Sequence, residues 1–243
     1  MATEKQPAYR RVVLKVSGEG LAGGGRDVID ADALRRVADE IAAAARAGVQ
    51  VAVVVGGGNM VRGRAFSQAM GVAEATAHQM GMVATVINAL ALREALENAG
   101  AAARAMSALH VATVCEPYVR GRCLAHLEKG RVVIVAGGTG RPFVTTDTAA
   151  AVLAAEIGAD ALLKATQVDG VYSADPKKDA KAEFYPKLSY DRVIDERLAV
   201  MDISAVDLCQ RCSVPIVVFN LHVDGQLARV VNGEPIGTTV SDD

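Results

Sequence analysis

Two lysines sit where an apolar strand would not place a charge. Lys15 interrupts the run Arg11–Val16, and Lys164 closes the run Ala161–Leu163. A buried ammonium needs a partner or a ligand, although a lysine at a strand end can also snorkel to solvent. Lys15 leads into Ser17-Gly18-Glu19-Gly20, the first of three glycine clusters that each follow a β-branched apolar run; Gly56-Gly57-Gly58-Asn59 and Gly137-Gly138-Thr139-Gly140 are the others. Glycine lets backbone N–H groups converge at close range, and converging N–H groups bind anions. Arg62 follows the second cluster and offers a guanidinium fork suited to a phosphate. Asp147 ends Thr145-Thr146-Asp147 ahead of a helix, and Asp202 stands at the start of another; both positions also suit an ordinary helix cap. Ammonium groups, a guanidinium and amide cradles together point to the binding of phosphate groups.

Two generic nucleotide motifs do not fit. Gly18-Glu19-Gly20-Leu21-Ala22-Gly23 matches GxGxxG after a strand. The dinucleotide fingerprint also wants an acid about 20 residues on, at the end of the second strand, and that strand ends in Gly56-Gly57-Gly58. A Walker A loop needs Gly-Lys-Ser/Thr, which the chain lacks. Cys209-Gln210-Arg211-Cys212 has no second CxxC and no nearby histidine pair, so it reads as two thiols on a helix and no metal site is expected.

The elements that must position these residues alternate. Asp30 is placed to cap a helix over Ala31–Ala47, stopped by Gly48. Further helices are expected over Glu74–Ala99, Tyr118–Glu128, Thr148–Ile157, Asp202–Arg211 and Gln226–Val231. Strands are expected over Arg11–Val16, Val49–Val55, Ala103–Ser107, Val132–Ala136, Ala161–Leu163, Ile216–Phe219 and Gly237–Val240. Val49–Val55 is a nearly continuous apolar run, the pattern of a strand buried on both faces in a parallel sheet, and strands alternating with helices imply a mostly parallel sheet covered on both sides. The fold class is therefore α/β, a three-layer α/β/α sandwich with a mostly parallel central sheet. In such sheets the ligand crevice lies at the carboxyl ends of the strands, where the glycine clusters sit. The helical stretch from Met80 to Leu92 is apolar almost all round, broken only by Thr85 and Asn88, as in a helix that is deeply buried or packed on another subunit.

At 243 residues, with no Pro/Ser-rich linker, a single domain over 9–243 behind a flexible tail, 1–8, is expected. The formal net charge of −2, without a basic stripe, and an aromatic content of 4% argue against a nucleic-acid surface. No stretch is long and apolar enough to span a bilayer, and Met1–Arg10 lacks the apolar core of a secretory leader. A cytoplasmic location with reduced thiols is expected, and membrane is not an expected partner.

The ordered set of motifs resembles the bacterial UMP kinases of the amino acid kinase superfamily. It comprises Lys15-Val16-Ser17-Gly18-Glu19, Gly56-Gly57-Gly58-Asn59 with Arg62-Gly63, Met80-Gly81-Met82, the run Thr139–Asp147, and Lys164-Ala165-Thr166 leading to Asp169-Gly170-Val171-Tyr172-Ser173-Ala174-Asp175-Pro176. The resemblance runs over about residues 9–240 and implies transfer of a phosphoryl group from ATP to UMP. It implies that Lys15 and Lys164 neutralise charge on the transferring group, that Asp202 orients Lys15, and that Asp147 organises the lysines and the Mg²⁺-bound phosphates. It implies an ATP site at Lys15, Val16, Ser17, Gly18, Gly58, Thr166, Tyr172 and Asp175. It implies a UMP site at Gly57, Arg62 and His78 and through Thr139, Gly140, Arg141, Pro142, Phe143, Val144, Thr145 and Thr146. Mg²⁺ is expected on the ATP phosphates, with a homohexamer and an activating GTP site at Arg93, Arg104 and Arg131.

The chain departs from the resemblance in the acceptor pocket. His78 stands where the family usually carries an aspartate that accepts from the UMP ribose, and a neutral imidazole offers one acceptor where a carboxylate offers several. Arg141 and Val144 stand where Asn and Phe are usual, Val61 where a larger aromatic is common, and Glu97 where the effector site is often basic or polar. The departures put acceptor identity in question more than reaction type. A sister kinase acting on a carboxylate such as acetylglutamate or aspartate, and a non-catalytic nucleotide- or oxyanion-binding member of the fold, are the alternatives. The Met80-Gly81-Met82 and Arg62 signatures weigh against the first, and retention of Lys15, Lys164, Asp147 and Asp202 against the second.

Overall fold

A computed structural model of the chain describes residues 7–22, 27–174, 176, 178–179 and 181–242. In chain order the elements are β1 (Arg11–Val16), α1 (Ala31–Arg46), β2 (Gln50–Val55), α2 (Gly63–Met70), α3 (Glu74–Asn98), β3 (Ala103–Ser107), β4 (Glu116–Pro117), α4 (Arg120–Glu128), β5 (Val132–Ala136), α5 (Thr146–Ile157), β6 (Ala161–Thr166), β7 (Val171–Tyr172), β8 (Phe184–Tyr185), β9 (Lys187–Leu188), α6 (Tyr190–Asp195), α7 (Ile203–Arg211), β10 (Ile216–Asn220), α8 (Gln226–Val231) and β11 (Thr238–Val240). A 3₁₀ turn, Gly18–Leu21, follows β1, with the Ser17 hydroxyl accepting from Gly20 N–H.

Nine strands form one sheet in the order β4-β3-β5-β2-β1-β6-β10-β11-β9. Every pairing in it is parallel except β10 with β11. Val12, Leu14 and Val16 of β1 join the core against α1, α3 and α8, while Val13 joins the core against α4, α5 and α7. Alternation along a strand puts Lys15 on the same face as Val13, and Lys164 on the same face as Leu162. The two lysines therefore point toward α5, not toward α1. Register does the rest: Lys15 is directly opposite Lys164 across the β1–β6 ladder.

The expected helices and long strands all form, with ends moved by local bonding. Tyr118 lies outside α4 because its N–H donates to Ser107 O, which carries the chain past β3 before the helix turns. β6 runs on through Lys164 to Thr166, since its pairing with β10 continues to Asn220. Asp30 caps α1 as expected, accepting from Ala33 N–H at 2.7 Å. Asp169-Gly170 leads from β6 into β7, which pairs antiparallel with β8, and Gly170 is needed because a side chain there would strike Thr238.

Candidate active site

Asp147 is the hub. Its Oδ1 forms an ion pair with Lys15 Nζ at 2.8 Å and its Oδ2 accepts from Lys164 Nζ at 2.8 Å, all three side chains being nearly buried. The carboxylate can do this because it is released from capping. Thr145 is the N-cap of α5, its hydroxyl accepting from Asp147 N–H at 3.1 Å, so the ordinary cap reading of Asp147 is replaced by a place in the first turn. The Thr145 hydroxyl in turn donates to Asp202 Oδ2. Asp202 is the N-cap residue of α7, but its side chain makes no cap hydrogen bond to that helix. Among the described residues the carboxylate on Lys15 is Asp147, while Asp202 meets Thr145, the residue that caps α5.

The electrostatics of this cluster follow from burial and pairing. Burial alone would push the Asp147 carboxyl up, but the charges and hydrogen bonds of Lys164 and Lys15 hold it below the ordinary carboxylate value. Burial pulls Lys164 below the ordinary lysine value, and the like charge of Lys15 adds to this, while Asp147 and Asp202 oppose it. The two ammoniums share the Asp147 carboxylate, with the Asp202 carboxylate close enough to act on Lys164, so paired lysines stand at the mouth of the parallel strands.

The first two glycine clusters touch. A Cβ on Gly18 would strike Asn59 Oδ1 and lie 2.9 Å from Gly58 N, and a Cβ on Gly56 would lie 2.9 Å from Gly18 N. These contacts are too short for real side chains, so glycine here permits backbone to meet backbone. Gly57 is pressed onto α3 in the same way, against the Gly81 carbonyl and the Ala84 and Thr85 side chains. The Met80-Gly81-Met82 motif is thus the seat of the second loop. Among the described residues, the N–H groups of Gly18, Gly57 and Gly58 donate to nothing, which leaves them for an anion. Arg62, at the start of α2, forms an ion pair with Glu19 across the gap between these two loops.

The third loop is open at its tip. Gly137 and Gly140 have positive φ, and so does Phe143 at 65°, an unusual conformation for a bulky side chain. Phe143 is 63% exposed, and its ring lies 5.0 Å from that of His78. The His78 imidazole also covers Gly63 and lies 3.7 Å from Glu74 Oε1. His78 therefore joins the start of α2 to the third loop by packing, a role its replacement of an acid did not suggest. Arg141 is exposed, Pro142 and Val144 are half-buried, and the Thr139 hydroxyl is buried without a partner among the described residues.

Beyond the end of β6, Tyr172 packs edge-on to Phe184 at 5.3 Å and lines an open cavity of about 450 Å³ with Gly170, Ser173, Glu196, Arg197 and Leu198. That volume lies within the range of small-molecule pockets. The 196–198 segment carried no sequence signal. Thr166 is turned inward, its hydroxyl engaged with the Val168 and Phe219 carbonyls, so it shapes the turn after β6. Asp175 lies outside the described residues. The three arginines expected to bind an effector are all engaged within the chain: Arg93 with Glu94, Arg104 with Glu97, and Arg131 with His126, which also meets Glu116.

Two residues were legible only as oddities. Thr85 and Asn88, the polar breaks in the apolar stretch of α3, reach the second and third loops.

The sequence model of the amino acid kinase family matches residues 10–220. A uridylate kinase of Methylococcus capsulatus is 52% identical over 233 residues, covering 96% of this chain and 97% of that protein. One of Zymomonas mobilis is 52% identical over 236 residues, covering 97% of each. Among solved structures, a UMP kinase from Bacillus anthracis superposes with a TM-score of 0.93 at 38% identity, covering 97% of both chains. Another from Ureaplasma parvum gives 0.89 at 32% identity, covering 96% of this chain and 98% of that one.

Proposed function

The chain belongs to the amino acid kinase family, and within it we infer a uridylate kinase, which moves the terminal phosphoryl group of ATP to UMP and releases UDP and ADP. The observation that carries this reading is the Lys15–Asp147–Lys164 cluster at the strand ends, beside amide-lined loops. The acceptor is an ionised phosphate, so no base is required; two ammoniums at a fixed spacing meet the charge of the phosphoryl group as it moves. Asp147 sets that spacing, and Thr145 and Asp202 hold the backbone from which Asp147 projects.

ATP is assigned to the first loop and the cavity lined by Tyr172. The UMP phosphate is assigned to Gly57 and Arg62, and the nucleoside to His78 and the third loop. Mg²⁺ would travel with the triphosphate. Among the described residues no group of three or more His, Cys, Asp or Glu side chains is placed to hold a metal, and both Asp147 oxygens face ammoniums. This donor set fits an ion held by phosphate and water oxygens, whose charge would supplement that of the lysines.

Self-association is part of the proposal. Met80, Val83 and Ile87 form an exposed apolar stripe on α3, with Val83 at 51% and Ile87 at 49% exposure, and a second copy of the chain in a hexamer would cover it. Control by GTP would require displacing the internal partners of Arg93, Arg104 and Arg131. It fails if GTP moves neither rate nor thermal midpoint. A cytoplasmic location accords with free thiols at Cys115, Cys123, Cys209 and Cys212. Among the described residues no helix is long and apolar enough to cross a membrane. Residues 9–243 are taken as one domain.

A coupled ADP-release assay with UMP, CMP, dUMP, acetylglutamate and aspartate tests the reading. Turnover with UMP is expected. Turnover only with a carboxylate would assign the chain to a sister activity, and turnover with none would make it a binding protein.

A further inference from the structure

We propose that Thr85 and Asn88, neighbouring turns on the buried side of α3, are positioning residues that clamp the third and second glycine loops and so set where the acceptor is held. The inference rests on the uridylate kinase reading for its kinetic part only. Asn88 is 0% exposed, and a buried amide must find partners or carry a desolvation penalty. Its Nδ2 donates to Gly56 O at 2.7 Å and to Asn59 Oδ1 at 2.8 Å, while its Oδ1 accepts from Asn59 Nδ2 at 3.1 Å. The two amides form a reciprocal pair, and Asn59 Nδ2 also donates to Val28 O at 2.7 Å. Asn88 thereby fixes the second loop, with Gly18 of the first loop lying directly under Asn59 Oδ1.

Thr85 is 2% exposed and does the same for the third loop. Its Oγ1 accepts from Gly137 N–H at 2.6 Å and donates to Met82 O at 2.6 Å. Donating to its own helix leaves the hydroxyl oxygen directed at Gly137, whose positive φ turns the chain away from β5. Its Cγ2 meanwhile bounds the space beside Gly57. One helix face thus reaches both loops, and the polar residues that interrupt an apolar helix are the ones that touch them.

The clamp is tested by substitutions that keep shape and remove hydrogen bonds. In Thr85→Val the Gly137 N–H loses its acceptor, and the KM for UMP should rise roughly tenfold or more while that for ATP stays within about twofold. Thr85→Ser, which keeps the hydroxyl, should remain within about twofold of wild type in both. Asn88→Leu should raise the KM for both nucleotides, because the second loop serves both. Amide hydrogen exchange of Gly137 in the free protein should accelerate in Thr85→Val and not in Thr85→Ser, and this readout decides the clamp even if UMP proves not to be the acceptor. Equal exchange at Gly137 in wild type and Thr85→Val would overturn the proposal. So would a Thr85→Val enzyme that loses kcat and thermal midpoint with its ratio of KM values unchanged, since that is what a purely structural role predicts.

Discussion

Lys15 and Lys164 occupy opposed positions on neighbouring parallel strands, and a single carboxylate, Asp147, spans the two ammoniums at 2.8 Å each. The spacing of the charges is therefore a property of the strand ladder and of one helix start, not of long side chains searching for a ligand.

Replacing either lysine with Met removes charge that matters most as the phosphoryl group moves. Each change should lower kcat by about 10²–10³-fold, or roughly 3–4 kcal/mol of transition-state stabilisation. A loss under about tenfold in single-turnover transfer would remove that lysine from the reaction.

Arg62 should act on acceptor binding. Arg62→Ala is expected to raise the KM for UMP with a smaller effect on kcat. Its partner Glu19 competes for the same guanidinium, and both side chains are solvent-exposed. Glu19→Gln should therefore lower the KM for UMP, by no more than about fivefold, because exposed ion pairs contribute at most about 1 kcal/mol. A rise in that KM would mean that Glu19 steers Arg62 instead of restraining it.

His78→Asp supplies the acceptor usual in the family but removes the ring that packs on Phe143. If ribose contact governs, the KM for UMP should fall, by up to about tenfold for one charge-assisted hydrogen bond. An unchanged or higher KM would show that His78 works by packing, as its place between Gly63 and Phe143 suggests.

The ammonium of Lys164 should titrate below the ordinary lysine range in the free protein, because burial disfavours its charge and Lys15 repels it. Asp147 opposes this shift, so Asp147→Asn should move the titration to still lower pH; NMR of ε-labelled lysine reads both. Asp147 itself is held below its unfolded value. The stability it lends is thus present above that unfolded value and is lost as pH falls through the folded one. A Lys164 titration that rises in Asp147→Asn would contradict the pairing.

The α3 stripe predicts an assembly phenotype. Ile87→Asp places a carboxylate in the face assigned to a second copy, and sedimentation should show smaller species than wild type. Identical sedimentation would place the contact elsewhere.

Much of this is readable in the residues themselves. The long strands announced themselves because burial on both faces makes them apolar throughout, and the lysines stood out against that background. β4, β7, β8 and β9 did not, since two residues carry no periodicity and such strands exist only because a neighbour pairs with them. α2 and α6 were missed because Arg62–Gly71 and Ser189–Glu196 are short and weakly patterned. The site was legible in its members more than in its bonds. That Asp147 meets both lysines depends on β1–β6 register, and that Thr145 is the cap depends on a choice among three adjacent polar residues. Thr85 and Asn88 were visible as interruptions, but their targets are distant in sequence.

The contact between the first two glycine loops has a mechanical consequence. With no room for a Cβ between Gly18, Gly56 and Asn59, those loops form a fixed jaw, and neither can slide without the other. The third loop is pinned at its root, while its tip carries exposed Arg141 and Phe143. The first two loops thus pass any shift to each other through backbone contact, whereas the third is tied in through Thr85 at its root and through the packing of Phe143 on His78 at its tip.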